Sequence, residues 1–149
     1  MNKRCFYTSF NRAYAPQALV LAESLRNCYG NNVDIVALLV DELEESEQQY
    51  FASFTKIIKA SELDIPNFSE WIFRLDIIEA ATAVKPFALR QLLDIYEEVI
   101  YLDPDTIVYA PFDEMFDELK ENNFVLTPHQ LVPSTEHWVI ESTELQSLR

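Results

Sequence analysis

The chain has 149 residues, of which 49% are apolar, enough for one folded domain with a hydrophobic core. Its 25 acidic and 11 basic residues give a net charge of -14, which excludes a broad electrostatic surface for nucleic acid or anionic lipid. The sequence shows no secretory signal and no apolar run that would span a membrane, so we expect a cytoplasmic protein without a transmembrane segment.

Glycine and cysteine usage narrows the function classes further. Gly30 is the single glycine, which excludes the glycine-dependent motifs of dinucleotide-binding dehydrogenases, P-loop NTPases, α/β-hydrolases and EF-hands. Cys5 and Cys28 form no CxxC pair, and the only histidines are His129 and His137. The sequence therefore predicts buried free thiols and neither a zinc site nor a disulfide framework.

The first part of the chain alternates between strand and helix patterns. The elements predicted there are a strand over 4–10, a helix over 15–29, a strand over 33–40, an acidic helix over 41–54 and a strand over 55–59. Pro16 suits the first turn of the first helix and Gly30 suits its end. The nearly continuous apolar run of the second strand is typical of a parallel sheet buried on both faces.

The second part of the chain continues the same alternation. A dense apolar cluster over 71–78 is interpreted as core. The elements predicted after it are a helix after Pro86 with Leu89, Leu92, Leu93 and Tyr96 on one stripe, a buried strand over 99–102, a short helix with Phe112, Met115, Phe116 and Leu119, and a strand over 124–127. Together these patterns predict an α/β fold with a Rossmann-like, mostly parallel sheet flanked by helices. We assign residues 4–128 to this domain and 129–149 to an irregular extension or the start of a further half.

Two carboxylates, Asp103 and Asp105, follow the apolar run of residues 99–102. α/β proteins place ligands at the carboxyl ends of their strands. Two carboxylates this close repel each other unless a cation lies between them, and a divalent metal that prefers oxygen ligands is the usual cation. The Asp-Pro-Asp pattern also fits a plain turn that ends a strand.

Lys85 is the second charged candidate. It lies at the start of a predicted helix, where its amine and the first backbone N–H groups can face a phosphate. Arg90, one turn further along, is an alternative to it, and Arg74 is a weaker one.

Three segments resemble, in this order and at these spacings, the nucleotide-sugar half of GT-A glycosyltransferases, particularly glycogenin-like and bacterial relatives. They are residues 8–25 (TSFNRAYAPQALVLAESL), 82–93 (TAVKPFALRQLL) and 99–108 (VIYLDPDTIV). The resemblance covers about residues 4–128, and LDPDTIV is its most specific part.

The resemblance implies a nucleoside-diphosphate sugar as donor, with UDP-sugars favoured, and a divalent metal, commonly Mn²⁺ with Mg²⁺ as the alternative. Mapped by position, Asp103 and Asp105 take the metal and ribose roles, and Lys85 approaches the diphosphate. Elementary chemistry agrees with these roles, because charge that develops on a departing diphosphate is stabilised by a metal and a lysine.

The resemblance also implies a site for the nucleoside. Thr8 and Asn11 would meet the nucleotide largely through backbone groups, and Tyr14 would stack on the base. His129 follows a predicted strand that ends near the same edge, so it could approach the donor. The acceptor, the catalytic residue and any homo-oligomeric state are left open by the sequence.

Other functions are compatible with these residues. GT-A enzymes are longer than this chain, and their second half supplies the acceptor site and often a third metal ligand, so we expect either part of a longer enzyme or a truncated relative. A truncated relative would be a non-catalytic nucleotide-sugar-binding or interaction module. Haloacid-dehalogenase phosphatases also carry DxD after an apolar strand, but their motif continues with Gly and Thr where this chain has Thr106 and Ile107.

Overall fold

The structure is a computed structural model that describes residues 3–42 and 45–128. Its strands are β1 (Arg4–Phe10), β2 (Asp34–Leu39), β3 (Lys56–Lys59) and β4 (Glu98–Tyr101). Its α-helices are α1 (Ala15–Tyr29), α2 (Phe68–Ile72), α3 (Ile77–Ala83), α4 (Lys85–Leu93) and α5 (Glu114–Glu121), and 3₁₀ turns lie at Arg12–Tyr14, Glu45–Phe51 and Ala60–Glu62. The described residues form two compact units that divide between Phe112 and Asp113, and the sheet belongs to the first.

The strands form one parallel sheet with the order β3-β2-β1-β4. This confirms the predicted α/β class and the Rossmann-like parallel sheet. The chain moves outward from β1 to β2 and β3, and then returns to place β4 on the other side of β1. The strand order therefore reverses between β1 and β4, and parallel sheets bind ligands in the crevice at such a switch point, outside the carboxyl ends of the strands.

Alternate residues of β1 pack against different neighbours. Cys5 and Tyr7 belong to a buried cluster that includes Ala88 and Leu92 of α4. Phe6, which points to the opposite face of the strand, has its ring centroid 5.2 Å from that of Tyr29 in α1. Helices thus pack against both faces of the sheet, and β1 is almost wholly buried.

The structure confirms the predicted bounds of the first helix, α1. A proline lies in its first turn, and Gly30 closes it with a φ of 59°, in the region that favours glycine. The Arg26 guanidinium then joins the end of α1 to the starts of β2 and β3. It donates to the carbonyl oxygens of Gly30 and Val33 at 2.9 Å, to that of Ser53 at 3.1 Å and to Thr55 Oγ1 at 2.6 Å.

The strand before Asp103 is only half-buried along its length, so the prediction of a buried strand there is wrong. β4 pairs with β1 on one side and lies at the edge of the described sheet. An apolar run can therefore form an edge strand whose outer side stays open. β4 ends at Tyr101. The N–H of the next residue, Leu102, still donates a hydrogen bond to the Tyr7 carbonyl of β1 at 3.0 Å.

The apolar cluster over 71–78 contributes to the core only at its start, where Trp71 and Ile72 are half-buried and pack against the buried cluster that contains Cys5 and Tyr7. Phe73 is 89% exposed and Ile78 is 75% exposed, because α2 ends at Ile72 and α3 begins at Ile77. The residue of α3 that is buried is Ala80, and Ile77 and Ile78 at the amino end of this helix are exposed.

Other predicted elements also differ from the structure. The acidic helix over 41–54 is, in its described part, a 3₁₀ turn at Glu45–Phe51. Residues 124–127 form no strand, and Phe124 and Leu126 are exposed. In α4, Ala88 and Leu92 are buried whereas Leu93 of the predicted stripe is exposed.

Both cysteines are free thiols, as predicted, although only one of them is fully buried. Burial raises the pKa of the Cys5 thiol to about 12, whereas Cys28 is partly exposed. Within the described ranges, none of the helices combines the length and apolarity needed to cross a bilayer.

Candidate functional site

A cavity of about 440 Å³ opens at the carboxyl ends of β1 and β4. It lies at the topological switch point of the sheet, and its volume is in the range of small-ligand sites. Among its lining residues are five that the sequence predicts as site residues: Asn11, Tyr14, Lys85, Asp103 and Asp105. The fold thus brings together residues from the end of β1, the start of α4 and the loop after β4.

The sixth predicted residue, Thr8, does not line the cavity. Its side chain is buried and its Oγ1 has no hydrogen-bond partner. Thr8 could therefore contact a ligand only through its backbone. A contact of this kind is predicted from the sequence. Arg90, the alternative to Lys85, pairs with Asp64 at 3.3 Å outside the cavity, and Arg74 does not line it either. His129 and His137 lie outside the described residues.

The charged part of the cavity is centred on Asp103. Its Oδ1 accepts a hydrogen bond from the Tyr101 hydroxyl at 2.7 Å and lies 3.4 Å from the Lys85 ammonium. The same ammonium lies 4.3 Å from the centroid of the Tyr101 ring. The Asp103 side chain is 64% exposed, so its carboxylate keeps oxygen lone pairs accessible to a cation from solution.

Two side chains of β1 fix the helices that line the cavity. Ser9 Oγ donates to the Ala81 carbonyl of α3 at 2.7 Å, and the Tyr7 hydroxyl donates to the Lys85 carbonyl of α4 at 3.4 Å. Val84 has helical dihedral angles and joins the two helices directly. The Lys85 ammonium, and not an isolated helix terminus, is therefore the cationic element that lines the cavity.

Tyr7 and Tyr101, which lie near Lys85 and Asp103, stay protonated at neutral pH. Burial raises the pKa of Tyr7 to about 12, with the nearby Cys5 as a second cause. Burial also raises the pKa of Tyr101 far above its usual value, and the hydrogen bond to Asp103 adds to the shift. Each phenol is therefore available as a hydrogen-bond donor.

The other part of the cavity is apolar. Tyr14 ends the 3₁₀ turn after β1, and Asn11 caps this turn by accepting a hydrogen bond from the Tyr14 N–H at 3.3 Å. Ile77 and Ile78 face it from the first turn of α3, which Asp76 caps through its carboxylate. A planar, apolar group fits this side, because an aromatic ring and two branched aliphatic side chains offer contact area.

Ser9, Ile77, Ile78 and Tyr101 are among the lining residues that the sequence did not predict as site residues. The position of Tyr101 in the sequence did give a signal. Residues two apart in an extended segment have side chains on the same face, so Tyr101 is expected beside Asp103. The isoleucines gave no such signal, since apolar residues in a cluster are usually core.

The residues present fit a divalent cation that arrives with a phosphate ligand. Mg²⁺ and related metals are usually held by one or two carboxylates, with substrate phosphates and water completing the shell, and Asp103 and Asp105 supply such carboxylates. In the part of the chain that the structure describes, no group of three or more His, Cys, Asp or Glu side chains is arranged to hold a metal alone. The cavity's charged side chains, one lysine and two aspartates, are net negative, which disfavours an anion that arrives without a cation.

Comparison with models of known protein families and with curated proteins gave no match for this chain.

Proposed function

We propose that the cavity at the ends of β1 and β4 binds a nucleoside-diphosphate sugar with a divalent cation, as the donor-binding part of a metal-dependent GT-A glycosyltransferase. The observation that carries this proposal is the meeting of the Asp103 and Asp105 carboxylates, the Lys85 ammonium and the Tyr14 ring in one cavity. These groups match the parts of the donor, since a cation–carboxylate site and a lysine suit the diphosphate and an aromatic ring suits the base.

The charged groups have separate roles in this proposal. Asp103 and Asp105 hold the cation, which, when bound, neutralises charge on the diphosphate as the sugar departs. Lys85 donates to the diphosphate from the cavity wall, where it is already fixed beside Asp103.

Calorimetric titration with UDP, in Mn²⁺ or in EDTA, tests the cation-dependent site. We expect binding in Mn²⁺ and none in EDTA, because the charged lining is net negative. Asp103→Asn should weaken binding in Mn²⁺ more than about tenfold, since contacts to a charged group contribute about 1.5–3 kcal/mol. The matched control is Asp64→Asn, which removes an exposed ion-paired carboxylate outside the cavity and should leave the affinity unchanged. Equal affinity in Mn²⁺ and EDTA would refute the proposal.

Turnover assays separate an enzyme from the other predicted functions. Release of UDP from UDP-sugars that requires Mn²⁺ and is lost in Asp103→Asn supports a glycosyltransferase. Tight UDP binding without turnover supports a nucleotide-sugar-binding module. Hydrolysis of p-nitrophenyl phosphate that depends on Asp103, in a chain that does not bind UDP, supports a phosphatase.

A further inference from the structure

Tyr101 contacts both charged groups at the centre of the cavity. Its hydroxyl donates to Asp103 Oδ1 at 2.7 Å, and the Lys85 ammonium lies over its ring, 4.3 Å from the centroid. Lys85 comes from α4 and Asp103 from the loop after β4, so these two groups come from different elements of the chain. One side chain thus holds a cation with its face and a carboxylate with its edge.

The Tyr101 ring is itself held in place. The buried Tyr7 ring packs against it with centroids 5.1 Å apart and planes at 60°, close to an edge-to-face arrangement. The Tyr7 hydroxyl bonds the backbone carbonyl of Lys85 at 3.4 Å. Because Tyr7 and Tyr101 are paired across β1 and β4, the register of the sheet fixes their relative positions.

We propose that Tyr101 is a positioning residue for the cation–diphosphate site, in which its hydroxyl orients the Asp103 carboxylate and its ring holds the Lys85 ammonium. This inference rests on the proposed function, because the site it serves is the one assigned there.

The Lys85 ammonium has two partners, the Asp103 carboxylate and the Tyr101 ring. It lies 3.4 Å from Asp103 Oδ1, which is longer than the 2.8 Å of the surface pair between Lys3 and Glu97. If Asp103 holds a divalent cation, its carboxylate would no longer need Lys85 as a partner, and the ammonium would be free to contact the diphosphate. The Tyr101 ring would keep the ammonium near the site, because a ring face attracts a cation without neutralising its charge.

Two variants separate the contributions of the hydroxyl and the ring. Tyr101→Phe keeps the ring and removes the hydrogen bond to Asp103, whereas Tyr101→Leu removes both. The matched control is Tyr96→Phe, which removes a tyrosine–aspartate hydrogen bond of 2.9 Å, to Asp34, from a residue that does not line the cavity. Near-ultraviolet circular dichroism and thermal unfolding verify that each variant is folded.

The measurement is the affinity for UDP in saturating Mn²⁺, compared with the affinity for uridine. Tyr101→Phe should weaken UDP binding about tenfold, the usual effect of losing a partner that orients a metal ligand. Uridine binding should stay unchanged, because uridine lacks the diphosphate. Tyr101→Leu should weaken UDP binding further, and Tyr96→Phe should match the wild type. A merely structural role would lower both affinities together.

The outcomes distinguish this inference from the proposed function. If the wild type binds no UDP in Mn²⁺, the proposed function fails and the assignment of Tyr101 fails with it. If the wild type binds UDP but Tyr101→Phe binds it equally well, or if uridine and UDP weaken equally, only the role of Tyr101 is refuted.

A ligand-free measurement tests the contact between the ring and Lys85 directly. Proton NMR of the wild type should show the ε-methylene signals of Lys85 shifted upfield by the ring current of Tyr101. The shift should persist in Tyr101→Phe and disappear in Tyr101→Leu. Signals that are the same in all three chains would show that the ring does not hold Lys85 in solution, and would overturn the ring's part of the proposal.

Discussion

Lys85→Met removes the single cationic side chain among the residues that line the described cavity, while keeping an unbranched aliphatic stem. The chain offers a close control in Lys59→Met. The Lys85 side chain is 25% exposed and lies 3.4 Å from Asp103, and the Lys59 side chain is 28% exposed and lies 3.5 Å from Glu42. Lys59 does not line this cavity. The two variants therefore remove similar ion pairs at different places.

The expected effects on stability are small and similar. A partly exposed ion pair contributes up to about 1 kcal/mol, and the contact of Lys85 with the Tyr101 ring adds about 0.5–1 kcal/mol. The effect on ligand binding should separate the variants. A charged hydrogen bond to a diphosphate is worth about 1.5–3 kcal/mol, so Lys85→Met should weaken UDP binding in Mn²⁺ by about 10- to 150-fold.

Calorimetry with UDP and uridine, in saturating Mn²⁺, measures this effect. Lys59→Met should bind both as the wild type does, and Lys85→Met should lose affinity for UDP only. Equal losses for uridine and UDP in Lys85→Met would refute the role of the ammonium at the diphosphate. An unchanged UDP affinity would refute it as well.

Two further predictions concern residues outside the cavity lining. Arg26→Met removes four hydrogen bonds, three of which join α1 to the segments that precede β2 and β3, so the free energy of unfolding in urea should fall by about 2–4 kcal/mol. A fall below about 1 kcal/mol would show that water replaces these bonds. Thr8→Val removes a buried hydroxyl that has no partner, so the free energy of unfolding should stay unchanged or rise by up to about 1 kcal/mol, with UDP affinity unchanged. A loss of stability would mean that this hydroxyl does have a hydrogen-bond partner in solution.

Local signals in the sequence determined the elements at the start of the chain. The bounds of β1 and α1 are those predicted, because a proline in the first turn and Gly30 at the end mark a helix through backbone geometry alone. The alternation of strands and helices was likewise sufficient for the α/β class and the parallel sheet. The sequence also sufficed to select Asp103, Asp105 and Lys85 as candidate site residues. Each is a charged residue at the end of a predicted strand or at the start of a predicted helix, which is a local pattern.

The tertiary structure decided what depends on neighbours from distant parts of the chain. The strand order leaves β4 at the edge of the described sheet, so a run that is apolar enough for the interior is only half-buried. The packing of α3 through Ala80 turns Ile77 and Ile78 towards the cavity, although their apolar character predicted core. Tyr101 contacts both Lys85 and Asp103 only because β4 pairs with β1 and α4 packs beside them. The sequence by itself thus determined which residues carry the charge, and the pairing of strands and the packing of helices decided which side chains hold that charge in place.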